Sequence, residues 1–317
     1  MHILVTGGAG FIGSNLVEKL LKDERVELVR VIDDFSTGSR KNMEGFAGHP
    51  NFQFLEADIR DYESCLEACD GIDRISHQAA LGSVPRSIND PLTTNAVNIT
   101  GTLNIFTAAK EKGIKRIVYA ASSSTYGDHP GLPKTEERIG KPLSPYAVTK
   151  YVNELYAKVY ADLYGMEITG LRYFNIFGPR QNPNGPYAAV IPLFAEALLH
   201  NKPPVINGDG SHSRDFTYVD NAVQANILSL FTDNKEAVNQ VYNIACGDQT
   251  SLNELFDGLR KEAGIDMKPV YGPERKGDVK HSLADITKAK ELLGYNPLVT
   301  VKEGLKKTFA WYRDMRK

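Results

Sequence analysis

Met1-His-Ile-Leu-Val-Thr6 runs directly into Gly7-Gly-Ala-Gly-Phe-Ile-Gly13. His2 to Thr6 is an apolar run of strand length, and Gly7, Gly10 and Gly13 follow at the spacing G-x-x-G-x-x-G. Phe11 to Leu21 then repeats apolar residues at helical period, and Val26 to Ile32 is a second β-rich run ending in Asp33-Asp34. A strand that turns sharply into a helix needs glycine where the backbone bends and where it must approach a diphosphate closely. The helix start behind the turn offers unpaired N–H groups and the positive end of its dipole to that anion. Gly7, Gly10, Phe11, Ile12 and Gly13 are therefore expected to cradle the phosphates. Asp33 lies twenty residues beyond Gly13, where a carboxylate accepts a hydrogen bond from an adenosine ribose 2′-hydroxyl. An acid there repels a 2′-phosphate, so the expected cofactor is NAD rather than NADP.

The 317 residues suit one large or two unequal domains. A net charge of −2 makes no electrostatic case for nucleic acid or an anionic membrane surface. No apolar run reaches transmembrane length, and the short N-terminal strand lacks the form of a signal peptide. Cys65, Cys69 and Cys246 form no disulfide framework, which points to reduced thiols and a cytoplasmic protein. Cys65 and Cys69 stand four apart in a helical stretch without His or Cys partners, so core packing is expected there and no metal site.

Strands and helices alternate through the first half. Phe52 to Glu56, Arg74 to Gln78, Arg116 to Ala121 and Glu167 to Arg172 read as strands. A short helix ending at Cys69, a long amphipathic one over Asn95 to Lys112 and another over Tyr146 to Tyr164 lie between them. This order predicts an α/β fold, a Rossmann-type doubly wound parallel sheet with helices on both faces. Ligands in such sheets lie beyond the carboxyl ends of the strands. The polar or small clusters Asp58-Ile59, Ala79-Ala80-Leu81, Ser122-Ser123-Ser124 and Tyr173-Phe174-Asn175 all follow strands and should converge on one edge. Beyond residue 175 the pattern loosens. Gly178 to Pro192 carries four prolines and two glycines and reads as loop. Shorter elements follow at Pro204 to Asn207, Asn221 to Phe231, Gln240 to Ala245 and Leu252 to Ala263. The expected division is a dinucleotide-binding domain over 1–175 and a smaller mixed α/β substrate-binding region over 176–317, some segments of which return to the first sheet. The cleft between them is the expected second ligand site.

Tyr146-Ala-Val-Thr-Lys150 places a phenol and an ammonium on one face of a helix. A phenol titrates near pH 10 in water, and a nearby cation favours its ionised form. Lys150 also has the reach to hold a cofactor ribose. The pair comes after a strand ending in three serines, one of which can share a proton with a substrate alcohol.

These residues together resemble the extended short-chain dehydrogenase/reductases, and within them the nucleotide-sugar 4-epimerases. The resemblance covers essentially the whole chain. It rests on Thr6-Gly-Gly-Ala-Gly-Phe-Ile-Gly13, Asp33, Asp58-Ile59, the serines before Tyr126-Gly127, Tyr146 with Lys150, and Arg172-Tyr-Phe-Asn175. Asn207-Gly-Asp-Gly210, Arg214-Asp215, Arg275-x-x-Asp278 and Ala284-Asp285 extend it through the tail. It implies that Ser122, Tyr146 and Lys150 are catalytic, with Tyr146 the base. It places Asp58, Ile59, Ala79, Ala80, Asn98 and Tyr173 at the cofactor. Asn175, Arg214, Arg275 and Asp278 would hold a uridine diphosphate, with Ala189, Val190, Ile206 and Asn207 near its base. Arginine suits a diphosphate because its planar fork binds oxygens in pairs. The implied reaction removes hydride from sugar C4 to give a 4-keto sugar, which turns over and takes hydride back on its other face. A homodimer built on the helices 95–112 and 146–164 is expected by the same likeness.

A sugar 4,6-dehydratase would place Asp-Glu directly after the residue matching Ser122, whereas this chain has Ser123 and Ser124. Hydroxyls of ordinary pKa do not supply the acid that loss of the C6 hydroxyl requires. The same absence argues against decarboxylation. Leu81-Gly-Ser-Val-Pro-Arg-Ser87, Ser122-Ser-Ser-Thr-Tyr-Gly-Asp-His129 and Asn182-Pro-Asn-Gly-Pro-Tyr-Ala-Ala189 are similar to epimerases acting on UDP-N-acetylglucosamine and UDP-N-acetylgalactosamine. Ser282 matches a wall position that is tyrosine in epimerases restricted to plain sugars. Serine leaves room for an acetamido group, which Gly82, Ser83 and Arg86 would contact, with Ser122, Ser123 and Ser124 at the sugar. The expected function is a UDP-N-acetylglucosamine 4-epimerase that also accepts UDP-glucose. A plain UDP-glucose 4-epimerase, a dehydratase, a uronate epimerase or decarboxylase, and a non-catalytic NAD-binding scaffold are the alternatives.

Overall fold

The computed structural model of the chain describes residues 1–185, 188–274 and 280–316. Its centre is a seven-stranded sheet made of β1 (His2–Thr6), β2 (Leu28–Asp33), β3 (Phe52–Glu56), β4 (Arg74–His77), β5 (Arg116–Ser122), β6 (Glu167–Tyr173) and a seventh strand, Val241–Ile244. Across the sheet the order is Val241–Ile244, β6, β5, β4, β1, β2, β3, and every neighbouring pair is parallel. The order reverses between β1 and β4, so the strand-end crevice that binds ligands in such sheets opens there. Successive side chains on a strand point to opposite faces. Ile3 and Val5 join the larger core cluster while Leu4 joins the smaller one on the other face.

Helix α1 (Phe11–Leu20) follows the glycine turn, α2 (Tyr62–Cys69) precedes β4, and α3 (Val84–Asn89) and α4 (Pro91–Asn95) follow it. Cys65 and Cys69 are unpaired and fully buried in the smaller cluster, as core packing requires. The expected single helix over 95–112 is corrected in form. The chain turns helical at Pro91, widens into a π-helical segment over Ala96–Gly101, and continues as α5 (Thr102–Glu111). Within the wide turn Asn98 is fully buried and bonds both the N–H (2.8 Å) and the C=O (3.2 Å) of Leu81. Such insertions in helices recur at functional sites.

Helix α6 (Pro145–Tyr164) carries the Tyr146/Lys150 pair and is delimited at both ends. The Ser144 hydroxyl accepts from Ala147 N–H at 3.1 Å with Pro145 in the first turn, and Gly165 takes a left-handed conformation after the last. A buried bidentate ion pair holds α6 to β6: Arg172 donates to both carboxylate oxygens of Glu154, at 2.9 and 2.7 Å. Removing one partner of such a pair strands a buried charge and costs about 3–5 kcal/mol.

After residue 175 the elements are short. Ile176–Phe177 pairs with Thr217–Tyr218, Ser213–Arg214 with Thr250–Ser251, and Val205–Asn207 with Val270–Gly272. The stretch read as loop to Pro192 ends sooner, because a helix begins at Val190 and runs to Leu199 with Pro192 in its first turn, where a missing N–H costs nothing. Val219–Phe231 and Val241–Ile244 return to the sheet, and Leu252–Ala263 and Val301–Asp314 pack beyond its edge. No described helix is long and apolar enough to cross a membrane.

Candidate active site

The strand ends create two adjoining cavities and a small recess. The first cavity, about 330 Å³, is lined by Gly7, Gly10, Phe11, Ile12, Gly13, Asp33, Gln78, Ala79, Ala80, Gly82, Ser122, Tyr146, Lys150, Tyr173 and Asn175 among others. The recess continues past Asp33 to Asp58, Ile59 and Val97. The second cavity, about 500 Å³, is lined by Ser122, Ser123, Ser124, Asn175, Arg214 and Ser282 together with residues of α3 and the loop before α6. Ser122 and Asn175 belong to both cavities and mark where they meet.

The glycine turn is as tight as its spacing demands. Gly7 has φ +69°, and a Cβ on it would stand 2.7 Å from the Ala79 nitrogen. A Cβ on Gly13 would stand 2.1 Å from the Gly7 carbonyl oxygen. No side chain caps the start of α1, so its first N–H groups and dipole face the cavity. Asp33 accepts from the N–H groups of Ala9 (2.9 Å) and Phe35 (2.8 Å), and its burial raises its pKa against those bonds. A glycine cradle, an open helix N-terminus and a carboxylate at the far end fit a dinucleotide diphosphate and adenosine ribose.

At the junction Ser122 is buried, and its hydroxyl accepts from both the N–H (3.1 Å) and the O–H (2.9 Å) of Ser124. That leaves its own proton for Tyr146, and this hydrogen bond lowers the phenol's pKa while burial of the ring raises it more. Lys150 is buried, donates to the Ala120 C=O at 2.7 Å, and is pushed down by desolvation to about 8. A serine donor, a phenol and a desolvated ammonium are thus gathered where the cavities join.

Other expected residues fall into place unequally. Tyr173 lines the first cavity, donating to Gln78 Oε1 (2.9 Å) and accepting from Asn226 Nδ2 (2.7 Å). Asn98 does not line it: fully buried, it holds Leu81 and donates to Thr149 Oγ1 at 3.1 Å, so it braces the wall from behind. Asn175, at φ +41°, donates to the Asp215 C=O. Arg214 donates to the carbonyls of Ser213 and Lys280, both at 3.0 Å. Ser83 turns its hydroxyl to the Arg86 N–H and caps α3. The α3 residues lining the second cavity are therefore Val84, Pro85, Ile88 and Asn89 rather than Ser83 and Arg86, and Gly82 lines the first. Ala189 and Val190 sit at a helix start, Asn207 ends a strand, and Ile206 is wholly inside the core, where its side chain offers a ligand no surface. Arg275 and Asp278 lie outside the described residues.

The sequence reading did not single out Gln78, Thr37, Lys134 or Leu143, all of which line the cavities. Lys134 is buried and loses proton affinity to desolvation, and its ammonium donates to the His129 C=O. Its strand-like bridge to Ala284 joins segments far apart in the chain. Among the described residues no cluster of His, Cys, Asp and Glu could hold a metal ion.

The NAD dependent epimerase/dehydratase family matches residues 3–245. A UDP-glucose 4-epimerase of Mycolicibacterium smegmatis is 37% identical over 316 residues, 99% of each chain. The Thermotoga maritima UDP-glucose 4-epimerase structure with UDP-glucose superposes with a TM-score of 0.93 at 39% identity, covering all of both chains. A UDP-N-acetylglucosamine 4-epimerase from Methanobrevibacter ruminantium, in complex with UDP-N-acetylmuramic acid, gives 0.93 at 40% identity over 99% of this chain and 98% of that one.

Proposed function

The chain belongs to the NAD-dependent epimerase/dehydratase family as an extended short-chain dehydrogenase/reductase of the nucleotide-sugar 4-epimerase type, and on that premise we propose that it interconverts UDP-N-acetylglucosamine and UDP-N-acetylgalactosamine, with UDP-glucose and UDP-galactose as further substrates. The observation that carries the choice of sugar is Ser282, a half-buried small residue that lines the second cavity together with Ser122–Ser124. The apolar side formed by Val84, Pro85, Ile88 and Leu143 gives an acetamido methyl a surface to meet. Lining positions Ser123 and Ser124 hold no acid for dehydration.

In this reading the Tyr146 phenolate takes the proton of the sugar 4-hydroxyl, Ser122 donates its one proton to the phenolate oxygen, and the Lys150 ammonium favours the phenolate electrostatically. NAD, held by the glycine turn, Asp33 and the Ala79–Ala80 wall, would supply the hydride acceptor and donor for the sugar. Residues 1–175 would hold that cofactor and, through α3, Ser122–Ser124 and Asn175, much of the sugar cavity, to which 176–317 adds Arg214 and Ser282; Asn175 and Arg214, with Arg275 and Asp278, are assigned to the diphosphate. Proton NMR of the purified protein with UDP-N-acetylglucosamine and no added NAD tests the proposal: the anomeric signal of UDP-N-acetylgalactosamine should grow to a fixed ratio. Conversion of UDP-glucose alone would leave the plain-sugar epimerase, the activity named for the M. smegmatis and T. maritima proteins. A 4-keto product would establish the dehydratase instead.

We also propose a homodimer through α6. Val148, Leu155, Val159 and Leu163 are exposed at spacings that share one helical face, an apolar stripe unusual on a solvated surface. Sedimentation should give twice the chain mass, and Leu155→Glu with Val159→Glu should return it to one.

A further inference from the structure

His77 ends β4 one residue before Gln78 and Ala79, which line the dinucleotide cavity; it is buried and has no part in the chemistry above. Its ring nitrogens face two threonines: Nδ1 lies 2.7 Å from Thr6 Oγ1 and Nε2 lies 2.9 Å from Thr102 Oγ1. The senses of these bonds follow from what lies beyond them. Thr102 Oγ1 is 2.6 Å from the Asn98 carbonyl oxygen, which only accepts, so the single Thr102 proton goes there. Thr102 must then accept from His77, which places a proton on Nε2. On the other side the Ala79 N–H donates to Thr6 Oγ1 at 3.1 Å, leaving the Thr6 proton for His77 Nδ1. The reverse tautomer would set two lone pairs against each other at Nε2. A doubly protonated ring would be desolvated and close to Lys150, and both effects disfavour its charge.

We infer that His77 is a positioning residue for the dinucleotide floor, held as the neutral Nε2–H tautomer, through which one run of hydrogen bonds ties the Ala79 wall to the π-helical turn at Asn98. The run passes from the Ala79 N–H to Thr6, from Thr6 to His77 Nδ1, and from His77 Nε2–H through Thr102 to the Asn98 C=O. Asn98 in turn grips both polar groups of the Leu81 peptide, and Asn153 of α6 donates to Thr102 Oγ1 at 3.3 Å. Both ends of the Ala79–Leu81 segment that walls the cofactor cavity are thereby anchored to one imidazole, and so is the helix bearing Tyr146 and Lys150. The inference uses the NAD-binding reading of the first cavity and is independent of which sugar is turned over.

The test is imidazole nitrogen NMR on the ¹⁵N-histidine-labelled, NAD-loaded protein, with the His77 signals assigned by their loss in His77→Gln. A protonated Nε2 beside an unprotonated Nδ1, unchanged from pH 6 to pH 9, is expected; an Nδ1–H tautomer or a titrating ring would overturn the assignment. For the positioning role, His77→Phe should lower retained NAD or turnover at saturating substrate about tenfold, the size of one lost buried hydrogen bond. KM for the sugar nucleotide should stay within about twofold. His77→Gln, which keeps a donor toward Thr102, should recover most of the loss. If His77→Phe is poorly folded, Thr102→Val interrupts the same run and should show the same split. Normal NAD retention and turnover in both His77→Phe and Thr102→Val would overturn the role, whatever the sugar assay shows.

Discussion

The two cavities that meet at Ser122 are walled in opposite ways. The dinucleotide side is made of consecutive strand ends of one parallel sheet and of backbone: glycines at 7, 10 and 13, the open start of α1, and the Ala79–Leu81 turn. The proposed sugar side shares the ends of β5 and β6 and adds to them pieces that the sheet does not join. Lys134 is bridged to Ala284, Ser213 to His281, and Ser213–Arg214 to the two-residue strand Thr250–Ser251. Asp215, wholly buried between them, accepts from the N–H groups of Cys246, Gly247 and Ala284 and so ties three loops together. Backbone walls tolerate little side-chain change, while side-chain walls can alter one residue at a time. The first half of the cleft should therefore fail abruptly under substitution and the second should change its selectivity.

The sharpest break in that contrast is Gly13→Ala. The added methyl would meet the Gly7 carbonyl oxygen at 2.1 Å, and neither end of that contact is a flexible side chain. Complete loss of retained NAD is expected, read as nucleotide released on acid denaturation; normal occupancy would show that the turn has slack. Tyr146→Phe, at the seam between the halves, should keep its NAD and lose about 10²- to 10⁴-fold in turnover, the range for removing a general base. Loss of NAD in that variant would mean that the phenol belongs to the cofactor wall more than to the chemistry.

Legibility in the sequence follows the same line. Strand, turn and helix of the dinucleotide half are local in sequence, so apolar periodicity and glycine spacing sufficed for β1, α1 and the place of Asp33. The strand-end clusters converge because a parallel sheet puts all its carboxyl ends on one edge. The π-helical turn was not readable, since six residues are too few to separate a wider helix from an α-helix by period. Asn98 stands at the cofactor by likeness alone, and the structure buries it behind the wall. Lys134 is not legible because the contacts that hold it at the cavity are distant in sequence: the bridge to Ala284, across 150 residues, and the bond from Asn243 Nδ2 to its C=O. The lone signal for it was a lysine between Pro133 and Thr135 in a loop close before the Tyr146 helix. Ser83 and Arg86 are expected at the sugar from likeness alone; in the structure the Ser83 hydroxyl accepts from the Arg86 N–H and caps α3.

Lys150 puts a measurable cost on the seam. Burial lowers its pKa from 10.5 to about 8, so between those values the unfolded chain holds a proton that the folded one has released. Stability contributed by this group therefore rises as pH climbs from about 8 to 10.5, and below pH 8 the native state bears the full penalty, up to about 3 kcal/mol. Urea unfolding of wild type and Lys150→Met, both freed of NAD, should show a difference that narrows in wild type's favour over that interval. A constant difference across it would mean that the ammonium is solvated in the fold.

The smallest expected effect is the most selective. Ser282 is held by its backbone: its N–H donates to the Ser213 C=O at 3.1 Å, and the Ser213 N–H donates to the Lys280 C=O at 3.1 Å. A larger side chain at 282 cannot retreat by shifting the main chain, so Ser282→Tyr must project into the cavity or lie along its wall. In either position it takes volume from whatever substituent the sugar carries at C2, and takes it from an acetamido group before a hydroxyl. Steric discrimination of this kind is worth about 10- to 200-fold. Turnover of UDP-N-acetylglucosamine should fall by at least about tenfold, at the low end of that range, while turnover of UDP-glucose stays within about twofold. Equal losses on both sugars would place residue 282 near the diphosphate rather than C2. No loss on either would show that Val84, Ile88 and Leu143, not Ser282, bound the space in which the sugar turns.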